Sequence, residues 1–322
     1  GKTDNEFGQK YNLPEVSPLD DECKYTDEAG MFKGVFVKKA DDDIIATLQK
    51  TGNLLHSGKI SHKYPVCWRC KAPLIFRMSN QWFLKVDKIK DKMLKFNNEV
   101  NWYPEFARER FANWVANADD WNFSRQRYWG IPIPIWKCEC GEINTMGSME
   151  ELKKNATEKV KDDFDLHNAS KIKVKCKECK KPVSRINEIF DVWFDSGVAP
   201  WASLGYPFEN KKLFESHYPV SRINESQDQI RGWFYSLMFC GVSAHGKQPY
   251  ETVSMPGWVL DQKGEKMSKS VGNVVTAKDC LASYGADATR LYYMIDTAPY
   301  ETQKFNINTI KKEIWSILNI LW

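Results

Sequence analysis

Two lysines three residues apart stand in the stretch Lys266-Met267-Ser268-Lys269-Ser270, with Gly264 before it and Gly272-Asn273 after it. A short polar loop of this kind can move, and its two ammonium groups can close on a polyphosphate. There they would neutralise the charge that builds as a pyrophosphate departs. A lysine-bearing surface turn uses the same letters, so spacing alone leaves both readings open. Cysteines offer a second chemistry. Cys138 and Cys140 form one close pair, and Cys176 and Cys179 form another 35 residues on. Four thiolates so grouped meet zinc's demand for four soft ligands, and a shell of four cysteines leaves no open position for water, which makes the role structural. Cys67 and Cys70 are half of another such site; a redox dithiol is the rival, although no βαβ pattern surrounds them. A third cluster is acidic: Glu225, Asp228 and Gln229 precede Trp233, and Trp193 lies upstream in Phe190–Gly197. Carboxylates there could pair with a substrate ammonium while Gln229 both donates and accepts. The tryptophans could wall a slot or fill ordinary core.

Elements must bring these groups together. Phe190 to Gly197 alternates apolar and acidic residues before a glycine, the pattern of a strand running to a site edge. The polar run Arg222–Gly232 then opens an apolar helix over 233–244, and an open α/β sheet binds its ligand at such a strand end. Upstream, 86–98 and 105–118 have helical period, with Phe106, Arg110, Trp114 and Ala118 as the expected buried stripe. Lys95, Arg108 and Arg110 fit an RNA-facing surface or a solvated helix face. Gly130 and the prolines of Ile131-Pro132-Ile133-Pro134-Ile135 impose an extended run. Residues 1–60 read as short strands and turns that make a poor domain alone. A helix begins at Ile307.

The chain has 322 residues, room for two ordinary domains, and a net charge of +4, which permits an RNA partner without demanding one. No apolar run approaches the roughly 20 residues of a membrane span, and GKTDNEFGQK is no signal peptide. Nine cysteines, six of them in close pairs, suit metal ligation in a reducing compartment. The expected setting is cytoplasmic, with no membrane partner.

Lys266–Ser270 as a pentapeptide resembles the KMSKS loop of class I aminoacyl-tRNA synthetases. Together with SRQRYWGIPIP (124–134), DVWFDSG (191–197) and ESQDQIRGWF (225–234), it resembles the isoleucyl-tRNA synthetases in order and spacing over nearly all of 60–300. The resemblance implies an α/β chain: the second half of a Rossmann-type nucleotide-binding domain with a small zinc-binding insertion and a following helical stem-contact segment. It implies an enzyme that forms isoleucyl-adenylate from isoleucine and Mg-ATP and then charges tRNA-Ile. By motif, Trp193 and Trp233 would sandwich the isoleucine side chain, and Glu225, Asp228 and Gln229 would hold the α-ammonium and the ribose. Gly257 to Leu260, including Val259, would lie along the adenine. Lys266 and Lys269, with Met267 and Ser268, would meet the phosphates and act catalytically. Arg125 and Arg127 become candidates for phosphate contact, with a structural ion pair as the alternative. Ser226 stands where the family often has glycine and would crowd the adenylate.

The same resemblance divides the chain. Residues 1–60 would be the end of the editing insertion, with Asp4 as the remnant that holds a mischarged ammonium; an aspartate starting a turn or capping a helix is the plain alternative. Residues 61–136 would return into the catalytic domain carrying the Cys67/Cys70 half-site. Its partner ligands precede the insertion in the family, so the half-site would be incomplete unless Cys23 or a histidine substitutes. Residues 137–185 would be the zinc knuckle, 186–260 the Rossmann catalytic half, 261–305 the KMSKS loop and stem-contact region, and 306–322 the start of the anticodon-binding helices. The family's His-x-x-His turn matches none of the five histidines. The expectation is a ligase fragment inactive without an N-terminal half, which could be a separate chain. The alternative is a non-catalytic zinc-containing module that binds RNA or protein.

Overall fold

The computed structural model describes residues 2–14, 16–67, 70–75, 77–126, 130–269 and 271–322, without the side chains of residues 2–4. The chain divides into two compact units, Gly1–Asn80 and Gln81–Trp322.

The first unit holds helices α1 (Lys2–Lys10) and α2 (Asp41–Lys50) with 3-10 turns between them and, among the described residues, only isolated bridges, such as Leu19 with Tyr25. Helix thus replaces the expected short strands. The Asp41-Asp42-Asp43 run fills the first turn of α2, where negative charge is favoured by the helix dipole. Among the described residues of this unit Ala40 is the sole buried hydrophobic.

In the second unit β1 (Phe83–Leu84) leads through α3 (Asp87–Asn97) to β2 (Asn101–Tyr103) and α4 (Phe106–Ala116), and β1 pairs with β3 (Trp121–Asn122). Both helices fall where periodicity puts them, but the buried face of α4 is Ala107, Phe111 and Val115. Of the expected stripe Ala118 is buried and Trp114 packs partly against the core, while Phe106 and Arg110 are exposed and their places are taken one position on. Ala107 lets the helix approach β2 closely, and Phe111 packs 5.3 Å from Trp102, whereas Phe106 is exposed beneath the Arg110 guanidinium.

Next come β4 (Ser124–Arg125) and an insertion of two hairpins. These are β5 (Ile135–Lys137) with β6 (Ile143–Thr145), then, after α5 (Met149–Asn155), β7 (Lys173–Lys175) with β8 (Pro182–Ser184). The insertion has its own small core of Trp136, Met146, Leu152, Ile172 and Val174, more apolar burial than its charged, weakly periodic sequence suggests. The chain returns along β9 (Ile189–Phe190), antiparallel to β4, into α6 (Val192–Gly197), α7 (Ala199–Ala202) and α8 (Lys211–His217).

Then β10 (Ile223–Asn224), α9 (Trp233–His245) and β11 (Thr252–Ser254) complete a parallel sheet in the order β10-β11-β2, with Val253 opposite both Ile223 and Trp102. Helix α9 is apolar nearly all round, as a helix enclosed by protein must be, and Gly246 at φ 66° ends it. Beyond the sheet, β12 (Val259–Leu260) pairs with β13 (Gln303–Lys304) across α10 (Ala277–Tyr284) and α11 (Ala286–Ile295). A π turn, Ile310–Ile314, joins the last helices, α12 (Ile307–Thr309) and α13 (Trp315–Leu321). Cys280, Tyr292, Phe305, Ile310 and Ile314 form a separate core there. Among the described residues no helix is long and apolar enough to cross a membrane.

Candidate functional site

The three parallel strands end together. Past β10 the Glu225 amide donates to the Ser254 carbonyl at 3.2 Å, and past β11 the Met255 amide donates to the Tyr103 carbonyl at 2.7 Å. Carboxyl ends of parallel strands leave a crevice that open α/β folds use for ligands. Here a cleft of about 800 Å³ is lined by Arg110, Asn113 and Trp114 of α4, by Gln227, Asp228 and Arg231 of the 3-10 turn before α9, and by Trp258. Asp228 is exposed to it. Gln229 is not among its lining residues: its Oε1 accepts from the Trp233 amide at 3.0 Å and its Nε2 donates to Asp228 at 3.0 Å. Gln227, two positions earlier, takes the Arg110 guanidinium at 3.2 Å. Gln229 therefore braces the turn, and Gln227 is a lining residue that sequence reasoning missed. Alternation along the 3-10 turn is its only signal.

The lysine loop meets one wall of this cleft, Trp258, without lining it. Lys266 places its ammonium 5.4 Å from the centre of the Trp258 ring, and both Lys266 and Lys269 are exposed. Two side chains hold the loop in shape. Asp261 accepts from the amides of Lys263 at 2.9 Å and Glu265 at 2.8 Å, and from the Asn273 side-chain amide at 2.9 Å. Asn273 in turn accepts from the Ser268 amide at 2.9 Å. The Asn273 amide, then the Glu265 and Lys263 N–H groups, hold the Asp261 carboxyl below its usual range. Met267 turns inward onto the helical core beside Val259. Gly257 lies against the backbone of Glu301, where any Cβ would collide, and its amide donates to Pro299 at 2.9 Å. One face of Gly257 is thus taken by the chain itself. Ser270 lies outside the described residues.

DVWFDSG is not a strand. Only Ile189–Phe190 pairs, and Asp191 caps α6 by accepting from the Trp193 amide at 3.3 Å. The apparent alternation misleads because Asp191, nearly buried, is a hub. It also accepts from Arg125 Nη2 at 2.7 Å and from the Trp121 indole at 3.2 Å. Arg125 is committed to that ion pair and to the Asn122 and Ser124 carbonyls, which favours its structural reading. Arg127 lies outside the described residues.

Trp193 and Trp233 do come together. The Trp193 ring lies against Gly232, 3.1 Å from where a Cβ would stand, and the Trp233 indole donates to the Ser196 carbonyl of α6 at 3.0 Å. Trp193 is 40% exposed, and Trp233 packs partly against the main core. Neither lines the cleft described above; both belong to the α6 side of the turn. Asp195, on the same helix, is pushed up by burial and by the Asp191 charge.

Cys138, Cys140, Cys176 and Cys179 lie with all four sulfurs within 4.8 Å of one another. Cys138 and Cys179 are 3.5 Å apart, and Cys140 and Cys176 3.7 Å. A tetrahedral zinc with bonds of about 2.3 Å separates its sulfurs by roughly 3.8 Å, so the set fits that ion. Each pair sits at a hairpin tip, on a turn closed over three residues at Cys138 and over four at Cys176. Gly141 donates to the Cys138 carbonyl at 3.0 Å and Lys180 to the Cys176 carbonyl at 3.1 Å. Burial pushes the Cys176 thiol up, but the Cys179 and Glu178 N–H groups outweigh it and bring the thiol down to about 6. Cys67 and Cys70 have the four-residue turn of Cys176, with Lys71 donating to the Cys67 carbonyl at 2.9 Å, yet among the described residues no group of three ligands includes them. The Asp4 side chain lies outside the description.

Sequence comparison agrees with this geometry. The pattern of tRNA synthetases class I (I, L, M and V) matches residues 10–306, and the chain belongs to that family. It is 48% identical to the isoleucine–tRNA ligase of Methanothermobacter thermautotrophicus, 47% to that of Pyrococcus furiosus and 43% to that of Clostridium novyi, each match covering the whole of this chain. The chain spans 31% to 32% of the length of these curated relatives. Its fold is shared with Mycobacterium tuberculosis methionyl-tRNA synthetase in complex with methionyl-adenylate, at a TM-score of 0.54, 19% identity and coverage of 80% of this chain and 41% of that one.

Proposed function

We propose that this chain supplies the phosphate-clamping and adenylate-binding part of an isoleucine–tRNA ligase. The observation that carries the proposal is Trp258, whose ring takes the Lys266 ammonium while it lines the same cleft as Asp228. Isoleucine's carboxylate attacks the α-phosphorus of ATP, a phosphorus–oxygen bond to pyrophosphate breaks, and isoleucyl-adenylate forms. Lys266 and Lys269 meet the charge that grows on the phosphates in that step. A ribose hydroxyl of tRNA-Ile then attacks the adenylate carbonyl and releases AMP. Magnesium enters with ATP as part of the substrate.

Glu225 and Asp228 are assigned to the ammonium and the ribose. Gln229 shapes their turn, and Trp193 and Trp233 are assigned to the isoleucine side chain. Discrimination by an apolar pocket against one missing methylene is limited to about 1–3 kcal/mol, so valine would be the competing substrate. The four-cysteine cluster is assigned to structural zinc, and Cys67 and Cys70 to half of a second site. A cytoplasmic setting fits these substrates.

Isoleucine-dependent ATP–pyrophosphate exchange tests the proposal, on the chain alone and on the chain joined to the segments that flank the matched region in its curated relatives. Exchange that is driven by isoleucine ahead of leucine, methionine and valine supports it. Exchange with another amino acid preferred overturns the isoleucine assignment, and none in either case, with tRNA still bound, supports a non-catalytic module.

A further inference from the structure

The cysteine-bearing insertion and the segments flanking it line an apolar, half-open cavity of about 410 Å³, whose lining includes Trp136, Met146, Leu152, Pro132 and Phe190. That volume is within the range of small-molecule sites. Its lining includes one buried cation, Arg185, which is 6% exposed. Arg185 donates to the carbonyls of Ile133 at 3.2 Å, Glu188 at 2.8 Å and Asn187 at 3.4 Å, and to the Ser170 hydroxyl at 2.7 Å. All four acceptors are neutral, and the Nε has no partner. Among the described residues no carboxylate lies within ion-pair distance of it. A guanidinium stays charged in a protein, and an unpaired buried charge is costly. Glu150, in the lining, is exposed, and the Glu188 carboxylate acts on Arg185 only from beyond ion-pair distance.

We propose that this cavity binds a small amphipathic carboxylate, its apolar tail against the Trp136 and Leu152 walls and its single negative charge directed at Arg185. The acidic rim disfavours ligands with a second anionic group. The site is distinct from the cleft at the strand ends, and its occupant would tie the insertion to the strand that leads into Asp191.

Calorimetric titration of the zinc-loaded chain with octanoate, and separately with 1-octanol, tests this. Octanoate binds saturably at one site, and the uncharged alcohol binds about tenfold more weakly, the loss expected for one charge-assisted hydrogen bond. Arg185→Met abolishes that preference. Met149→Trp fills the cavity from its rim without touching Arg185, and weakens both ligands. Equal binding of acid and alcohol, no saturable octanoate binding, or full binding by Met149→Trp overturns the proposal.

Discussion

Replacing Asp191 with alanine removes three contacts at once. The charge-assisted bond to Arg125 is worth about 1.5–3 kcal/mol, the cap on α6 about 1, and the indole bond of Trp121 about 1. The full sum overstates the loss, because the Arg125 side chain is 36% exposed and regains water when its partner goes. A destabilisation of about 3 kcal/mol remains, which for a unit of this size lowers the midpoint of thermal unfolding by about 6 to 12 °C. Asp191→Asn keeps an acceptor for the indole and the cap and loses only the charge, so about 1 kcal/mol is expected. Near-ultraviolet circular dichroism during heating reads both. A second signal is the titration of Asp195, whose carboxyl is raised first by burial and then by Asp191. Since the folded state holds that proton more tightly than the unfolded chain, ionising Asp195 subtracts stability as pH rises through its two pKa values. Asp191→Asn should bring the Asp195 value down and shrink that loss, which carbon-detected NMR can follow. Equal midpoints for the alanine and asparagine variants, or an unmoved Asp195, would refute the hub.

Lys266→Ala and Lys269→Ala should each slow adenylate formation about a hundredfold while sparing isoleucine affinity, as loss of a contact made only in the transition state does; single-turnover kinetics checks this. Trp233→Ala should weaken isoleucine binding measured by calorimetry, and unaltered binding would return that ring to the core. Metal analysis should find one zinc per chain, lost on Cys176→Ser together with the cooperative unfolding of the insertion. Gly257→Ala should displace the 299–302 turn and reduce soluble yield, with yield and circular dichroism equal to the parent as the contrary result.

Helices α3 and α4 were legible from their period and α9 from its unbroken apolar run, whereas the ten-residue α2 was not, because its acidic first turn looks like a surface loop. The four-cysteine cluster was legible too, since sulfur ligands are few and their spacing leaves little choice. Faces and short elements were not. On α4 the larger side chains suggested core, while Ala107 is what allows close approach to β2. In DVWFDSG the alternation matched a strand, yet Asp191 accepts from residues some seventy positions upstream, and that contact decides for a helix. The Asp261–Asn273 brace likewise joins residues whose meeting depends on the loop being folded.

Pairing of Val259 and Leu260 with Gln303 and Lys304 has a mechanical consequence. Immediately after β13, the Asn306 amide is held by the Tyr292 hydroxyl of α11 at 3.0 Å, and α12 begins at the next residue. The two ammonium groups are therefore mounted on a hinge plate whose other leaf is the helical tail. A torque on that tail would advance or withdraw them against the strand ends.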